Sequence, residues 1–353
     1  MNPDDESEID DTFNAPVEGD ELYEHFRFVV DPGQDSIRID KFLMDRVPNV
    51  SRTRIQDLAH ADNLIVNGKP VKPNYKVRAR DEISIVLPFP VRELELIPEN
   101  IPIQIVYEDD DLVVVNKPAD MVVHPGYGNY TGTLLNGLIY HFEHLPKKAD
   151  DYYGRPGLVH RIDKNTTGLL VIAKTEIALT HLAKQFYDRT SDRRYYALVW
   201  GDVQDETGTI EGHIGRSQKN RKVFCVYEDA SHGKPAVTHY KVVERFRYVT
   251  LVECKLETGR THQIRVHFQH IGHPLFHDPE YGGDKIIKGT TFTKYKQFID
   301  NAFKLIPGQA LHAKTLGFKH PRTGQWMDFD SELPENFEKL LEKWRTYSQN
   351  VPD

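Results

Sequence analysis

Two polar segments set among apolar residues carry the side chains that could do chemistry. The first is His160-Arg161-Ile162-Asp163-Lys164-Asn165-Thr166-Thr167-Gly168, which runs into the apolar Leu169-Leu170-Val171-Ile172. A carboxylate at a strand end, among Arg, Thr and a Gly turn, can act as a positioned nucleophile or base. The same residue types also cap loops, and the segment alone leaves both readings open. The second segment runs from Glu257 to His267 and places Arg260 and Arg265 near the start of a helix. Ile264 and Val266 beside them favour at least one inward arginine. A buried arginine holds a carboxylate ionised and fixes its direction through charge-assisted hydrogen bonds.

Other chemistries fit less well. His262, His267, His270, His273 and His277 raise the question of a metal. No His-Glu-x-x-His is present, and Cys225 and Cys254 lack ligand spacing, so no metal is expected. There is no phosphate-binding Gly-x-x-x-x-Gly-Lys-Ser/Thr loop and no Gly-x-Ser-x-Gly elbow. Two cysteines exclude a disulfide framework and suit a reducing cytosol. No run of about 18 apolar residues occurs, so no membrane span is expected. The acidic start resembles neither a signal nor a transit peptide.

The elements that must position these residues fall into two regions, as 353 residues suggest. Taken whole, the net charge of −8 weighs against a nucleic-acid partner. Residues 1–26, however, hold ten acids and no Lys or Arg, and the rest balances 45 basic against 43 acidic residues. Residues 1–30 read as an acidic, disordered tail. Residues 37–88 form a basic unit, with ten Lys or Arg against six acids. Ile39, Phe42, Leu43 and Val47 follow helical spacing, and Ser51 suits the N-cap of a second helix through Ile55, Leu58 and Ala59. Leu64–Val66, an Asn67-Gly68 turn and Val71 read as a hairpin, and Ile83–Leu87 as a closing strand. Arg38, Lys41, Arg52, Arg54, Lys69 and Lys72 are its candidate RNA contacts, with a solvated charged face as the competing reading.

A proline-marked linker spans 89–102, and a larger domain spans 103–346. Its strands outnumber its helices: Ile105–Tyr107, Leu112–Val115, Leu158–Val159, Leu169–Ile172 and several between Tyr195 and Cys254. Helices are expected over 176–189, around Ile264–Ile271 and around Phe337–Trp344. The fold class is α+β, with a mixed, largely antiparallel sheet and flanking helices rather than a doubly wound unit.

His160–Asp163 with Thr167–Leu170 resembles the signature of the RluA family of RNA pseudouridine synthases. Further matches follow in the family's order: Tyr107-Glu108-Asp109 to Asn116-Lys117-Pro118 and His124-Pro125, then Arg193–Gly201. Thr258–His267, His273-Pro274-Leu275, Asp278-Pro279, Tyr281-Gly282-Gly283 and Ala310–Ala313 complete the set. The basic unit resembles the RNA-binding module of ribosomal protein S-four, which precedes the catalytic domain in the family's large-subunit ribosomal RNA members. The likeness is strongest to the D-type group among these. It implies the pseudouridine synthase fold, an RNA partner, a cytoplasmic monomer and no cofactor. It implies a catalytic Asp163, either as nucleophile or in a glycal route, with Arg265 as its ion-pair partner and Tyr195 stacked on the target base. Arg161 would fill the gap left by the flipped nucleotide. His160, Thr167, Arg260 and His262 would line the substrate site, His160 and Thr167 more as loop-shaping residues. Transfer RNA, another ribosomal site, or a non-catalytic role in ribosome assembly are the competing readings. The departures are Ile162 for the usual Leu, Phe276-His277 before Asp-Pro, and the acidic head.

Overall fold

The computed structural model describes residues 23–47, 52–87, 96–126, 128–147, 155–218, 220, 223–229 and 232–350. Ser51, residues 1–22 of the expected tail, and residues 89–95 of the expected linker lie outside them. The chain divides into two compact units, one mainly up to Ile97 and the other mainly from Pro98 onward. Among the described residues no helix is long and apolar enough to cross a membrane.

The first unit contains β1 (Tyr23–Val29), α1 (Ile39–Met44), α2 (Arg52–His60), β2 (Leu64–Val66), β3 (Lys69–Pro70) and β4 (Glu82–Leu87). Its sheet runs β1-β4-β2-β3, antiparallel throughout. Ile39, Phe42 and Leu43 of α1 and Ile55 and Leu58 of α2 bury their helical faces with Leu64, Ile83 and Ile85. Asn67 (φ 50°) and Gly68 (φ 76°) turn the β2–β3 hairpin with the left-handed backbone that such a two-residue loop requires. Strand β1 corrects the expected 1–30 tail. The acidic bias of the head masked an alternation in which Phe26, Phe28 and Val30 turn to the core.

The second unit opens with β5 (Ile105–Glu108), β6 (Leu112–Lys117), α3 (Leu134–His141), β7 (Thr167–Ala173) and α4 (Glu176–Tyr187). The strands β8 (Asp192–Trp200), β9 (Thr207–Arg216), β10 (Phe224–Tyr227), β11 (Lys234–Arg245) and β12 (Val249–Leu256) follow. Then come α5 (Gln263–His270), α6 (Thr293–Phe303), β13 (Leu311–Lys319), β14 (Trp326–Asp330) and α7 (Glu335–Asn350). The sheet order is β10-β9-β11-β12-β8-β13-β7-β6-β5, with β14 paired to β13. Only β13 and β7 run parallel among these pairs. Leu158–Val159 is not a strand: Leu158 makes one isolated bridge to Ile172. Pro156 offers no N–H, and Gly157 (φ 73°) breaks the extended run before it can lengthen.

The crossover through β13 is what assembles the site. Ala313 on β13 faces Gly168 of β7 on one side and Tyr195 of β8 on the other. Two strand spacings, about 10 Å in all, therefore separate the start of β7 from Tyr195. Gly168 has φ 111°, and a Cβ there would lie 2.3 Å from the Ala313 carbonyl oxygen. Only glycine lets the two strands meet at that point.

Truncation after residue 29 is expected to remove β1, expose the edge of β4 and lower the thermal midpoint of the first unit. Truncation after residue 22 should leave that midpoint in place. Equal melting curves for the two truncations would contradict a structural role for β1.

Candidate active site

Asp163 sits on the loop entering β7, and Arg265 projects from α5. Arg265 Nη1 donates to Asp163 Oδ2 at 3.1 Å. The Arg265 side chain is 4 % exposed and Asp163 21 % exposed, so the arginine is buried while the carboxylate is still reachable from solvent. Arg265 is also bound bidentately by Asp278, with Nε to Oδ2 at 2.7 Å and Nη2 to Oδ1 at 2.8 Å. Glu280 accepts a further bond from Nη2. One guanidinium thus serves three carboxylates.

Burial works to raise the Asp163 carboxyl, but the charge that His262 carries once protonated in acid and the permanent charges of Arg265 and Arg161 outweigh it and hold the group below the ordinary carboxylate range. Burial in turn pushes the His262 imidazole down against the pull of Asp163. His262 is therefore neutral near pH 7, and Arg265 and Arg161 remain the permanent cations. The pull of Asp163, Asp278 and Glu280 overcomes burial and raises Arg265 further.

The start of α5 is held by Gln263. Its amide oxygen accepts from Thr258 Oγ1 and the Arg260 N–H. Its amide nitrogen donates to the Val237 carbonyl and to Thr238 Oγ1. All four bonds anchor α5 to β11 or to its own approach loop, which aims Arg265. His262 precedes the helix at φ 55°, a left-handed conformation that costs a non-glycine residue of order 1 kcal/mol or more. Its Nδ1 lies 2.8 Å from the Tyr281 hydroxyl, and its Nε2 lies 3.9 Å from Asp163 Oδ1. The Arg265 guanidinium lies 4.9 Å from the centre of the Tyr281 ring.

Tyr195 on β8 is 7 % exposed. Burial raises its phenol, with the Asp163 charge adding to the rise, so the ring stays neutral. Arg161 is exposed beside Asp163, with Nη1 3.5 Å from His124 Nε2. Asp163, Arg265, Tyr195, His262 and Arg161 are thus brought together.

The other expected site residues serve different ends. His160 Nε2 accepts the Val171 N–H at 3.0 Å, and the ring stacks on Phe186 at 4.3 Å. Burial lowers its pKa to about 3, so it is a neutral brace for the loop. Thr167 bonds His312 Nδ1 at 2.7 Å inside the sheet. Arg260 donates from Nε to the Pro235 carbonyl. In the first unit, Arg38 and Arg52 both bind the fully buried Asp40, whereas Lys41, Lys69 and Lys72 are exposed. The Arg54 side chain lies outside the described residues.

Lys117, Asp278, Glu280 and Tyr281 are not distinguished as site residues by the sequence. Their signal is position within or beside the family motifs, without a role attached. Lys117 is buried, and its ammonium donates to the carbonyls of Pro118, Met121 and Lys164 at 2.6, 2.8 and 2.9 Å. Burial lowers its pKa to about 7, opposed by Asp163 and Asp120, while three carbonyl acceptors occupy all three ammonium protons. It ties the residue after Asp163 to the turn after β6.

The five histidines weighed for a metal do not converge on one another. His267 bonds Thr238, and His273 and His277 meet the Trp200 and Ile306 carbonyls. Among the described residues one metal-type group converges, Asp109, Asp111 and His320. Its atoms are already engaged, Asp111 with Arg322 and His320 with Asp109.

A family model described as RNA pseudouridylate synthase matches residues 111–270, and one for the S4 domain matches residues 37–83. An RNA pseudouridine synthase of Chlorobaculum parvum is 47% identical over 314 residues, covering 89% of this chain and 95% of the relative. The chain belongs to the RNA pseudouridine synthase family. A protein of Haemophilus influenzae named ribosomal large subunit pseudouridine synthase D is 41% identical, over 88% of this chain and 92% of its own. A similarly named protein of Zymomonas mobilis is 40% identical, over 89% of this chain and 95% of its own. The solved structure of human RNA Pseudouridylate Synthase Domain Containing 1 shares the fold, with a TM-score of 0.52 and 24% identity over 72% of this chain and 98% of that one. The synthase fold is therefore α+β, as expected, with the site described above at its centre.

A depressed carboxyl stays ionised until pH falls below its ordinary value of about 4. Activity that needs the Asp163 carboxylate should therefore persist into mildly acid solution. Arg265→Gln removes a permanent cation and its hydrogen bond from Asp163, so the acid limb of kcat/KM should move up by about 1–3 pH units. That variant leaves Asp278 buried without its partner, so Arg265→Gln/Asp278→Asn should be profiled beside it. A limb that moves in neither enzyme would refute the ion-pair account.

Proposed function

We propose that this synthase isomerises specific uridines in a stem-loop of large-subunit ribosomal RNA, with Asp163 as the group that acts on the sugar. The observation that carries the reading is an ionised Asp163 held by Arg265 beside the buried ring of Tyr195. The names of the large-subunit relatives support the substrate.

The reaction breaks the bond from uracil N1 to the ribose anomeric carbon, turns the base and joins it through C5. C5 loses a proton and N1 gains one, so the product is an isomer and nothing is consumed. An ionised carboxylate can attack the anomeric carbon, or remove the sugar's C2′ proton on the way to a glycal. Both routes need the charged form that Arg265 and Arg161 maintain. Neither draws on a cofactor.

The target must leave the RNA stack to reach a side chain set this deep. Tyr195 offers a neutral flat face against which the freed uracil can rest. Arg161, exposed at the rim, is positioned to occupy the space the nucleotide vacates. His262 and Arg260 approach the substrate from the α5 side. Arg38, Lys41, Arg52, Arg54, Lys69 and Lys72 hold RNA through the first unit, with Arg38 and Arg52 preset by Asp40. A ribosomal RNA substrate implies a cytoplasmic enzyme, and a site built from one chain suits a monomer.

Asp163→Asn should abolish pseudouridine formation while RNA affinity stays within a few-fold. Turnover in a clean Asp163→Ala preparation would sink the assignment. Tyr195→Phe should keep much of the activity, and Tyr195→Ala should lose considerably more, since base stacking contributes roughly 1–3 kcal/mol. Mapping pseudouridines in total RNA from a deletion strain tests the substrate. Losses confined to transfer RNA would replace the ribosomal reading, and growth rescue by Asp163→Asn would point to an assembly role beyond catalysis.

A further inference from the structure

A lysine-rich surface follows the segment that braces Arg265. Between Lys285 and Phe298 the chain carries Lys285, Lys288, Lys294 and Lys296 and no acidic residue. All four lysines are exposed, and among the described residues none of them forms an ion pair. Phe292, at the centre of the segment, is 73% exposed. An exposed aromatic between four cations is the combination that binds nucleic acid, with charge for the backbone and a ring face for a base.

The segment is nevertheless held in place. The Tyr295 ring is buried in the core beneath α6, and its hydroxyl donates to the Lys288 carbonyl at 2.7 Å. Tyr295 and Ile299 anchor α6 while Lys294 and Lys296 face outward. The lysines are therefore presented from a fixed backbone.

Its distance from the site is readable from β8. A Cβ added at Gly201, just past the end of that strand, would lie 3.8 Å from Lys288 Cε. Tyr195 lies six residues earlier on the same strand. At about 3.3 Å per residue the separation is about 20 Å. That is too far for the flipped uridine itself and suits the stem that carries it.

We propose that residues 285–296 dock the sugar-phosphate backbone of the RNA stem flanking the target loop. The four lysines neutralise phosphates, and Phe292 stacks on an unpaired base at the margin of the stem. This rests on the stem-loop substrate proposed above.

The test uses the full chain carrying K285A, K288A, K294A and K296A together, and F292A separately. Binding and turnover are measured on a stem-loop fragment of large-subunit ribosomal RNA and on the loop sequence alone as a single strand. On the stem-loop the quadruple variant should bind about tenfold more weakly, or worse, at low salt. Its plot of log affinity against log salt should flatten by up to about 3.6, since each phosphate left without its lysine accounts for about 0.9 of the slope. KM should rise with kcat retained at saturating RNA, and the thermal midpoint should not move. On the single-stranded loop, variant and parent should bind alike. F292A should weaken stem-loop binding a few-fold without a change in salt slope.

An unchanged slope on the stem-loop would overturn the proposal, as would equal weakening on both RNAs. Disappearance of a co-purifying protein with RNA binding intact would also overturn it, in favour of a protein partner. If the parent enzyme makes no pseudouridine in the ribosomal fragment, the substrate reading fails. The salt slope on any stem-loop still decides whether the lysines dock RNA.

Discussion

The arrangement of the catalytic unit turns on one buried guanidinium. A single charge on Arg265 meets Asp163, Asp278 and Glu280, and the three interactions are not equivalent. Asp278 takes the bidentate face at 2.7 and 2.8 Å and is itself fully buried. Such a pair fixes the plane of the guanidinium as well as its position. Asp163 receives only Nη1, at 3.1 Å. Its second oxygen is 3.9 Å from His262, beyond a hydrogen bond. Asp163 is thus oriented and kept charged through one oxygen while the other is left available. A bidentate clamp on Asp163 would have stabilised the ion better and occupied both of its oxygens. Asp278 makes the difference, because it absorbs the geometry that Arg265 would otherwise offer to Asp163.

That guanidinium works only if strand and helix deliver both partners to the same point. Breaking a buried ion pair by removing one member costs about 3–5 kcal/mol, because the other charge is left uncompensated. The surrounding structure accordingly over-determines the position of each group. Gln263 commits its whole amide to the approach to α5. Lys117 commits its three protons to carbonyls around the Asp163 loop. His160, half-buried, and His312, fully buried, are both neutral and brace the same loop and the strand after it. Gly168 permits the close approach to β13 that puts Tyr195 beside them. The strained backbone at His262 belongs with this set, since a residue held in the left-handed region persists only where its neighbours enforce it.

The legible parts of the sequence were those whose pattern is local. Helical spacing in 39–43 and 176–186, the Asn67-Gly68 turn and the apolar run of β7 all follow from neighbouring residues. The Asp163–Arg265 pair came from family resemblance, because no periodicity links residues 102 positions apart. Strand β1 was hidden by composition: ten acids in the head outweighed the alternation of Phe26 and Phe28. The Leu158–Val159 error has the opposite cause, since two branched apolar residues suggested a strand that Pro156 and Gly157 do not allow to extend. The partnering of Asp278 and Lys117 depends on which groups share a buried volume, and spacing carries no record of that. His160 shows the same limit. A histidine three residues before the key carboxylate reads as chemistry, but its ring is sealed against Phe186.

The carboxylates that make the site work also set a problem for binding. With His262 neutral, Asp163, Asp278 and Glu280 exceed the charge of Arg265 and Arg161. Their field opposes the approach of a phosphate, and it is strongest within the Debye length of about 8 Å at physiological ionic strength. Attraction for RNA must then come from cations placed farther out than that. Within the catalytic unit the acid-free run from Lys285 meets this requirement, since Lys288 lies beside the end of β8, about 20 Å from Tyr195. Net charge is a poor guide to such a protein, because the acidic excess lies in the head and in a buried cluster. What RNA meets first is the distribution of exposed lysines, and in the proposed reaction Asp163 is encountered only by the single nucleotide that leaves the stack.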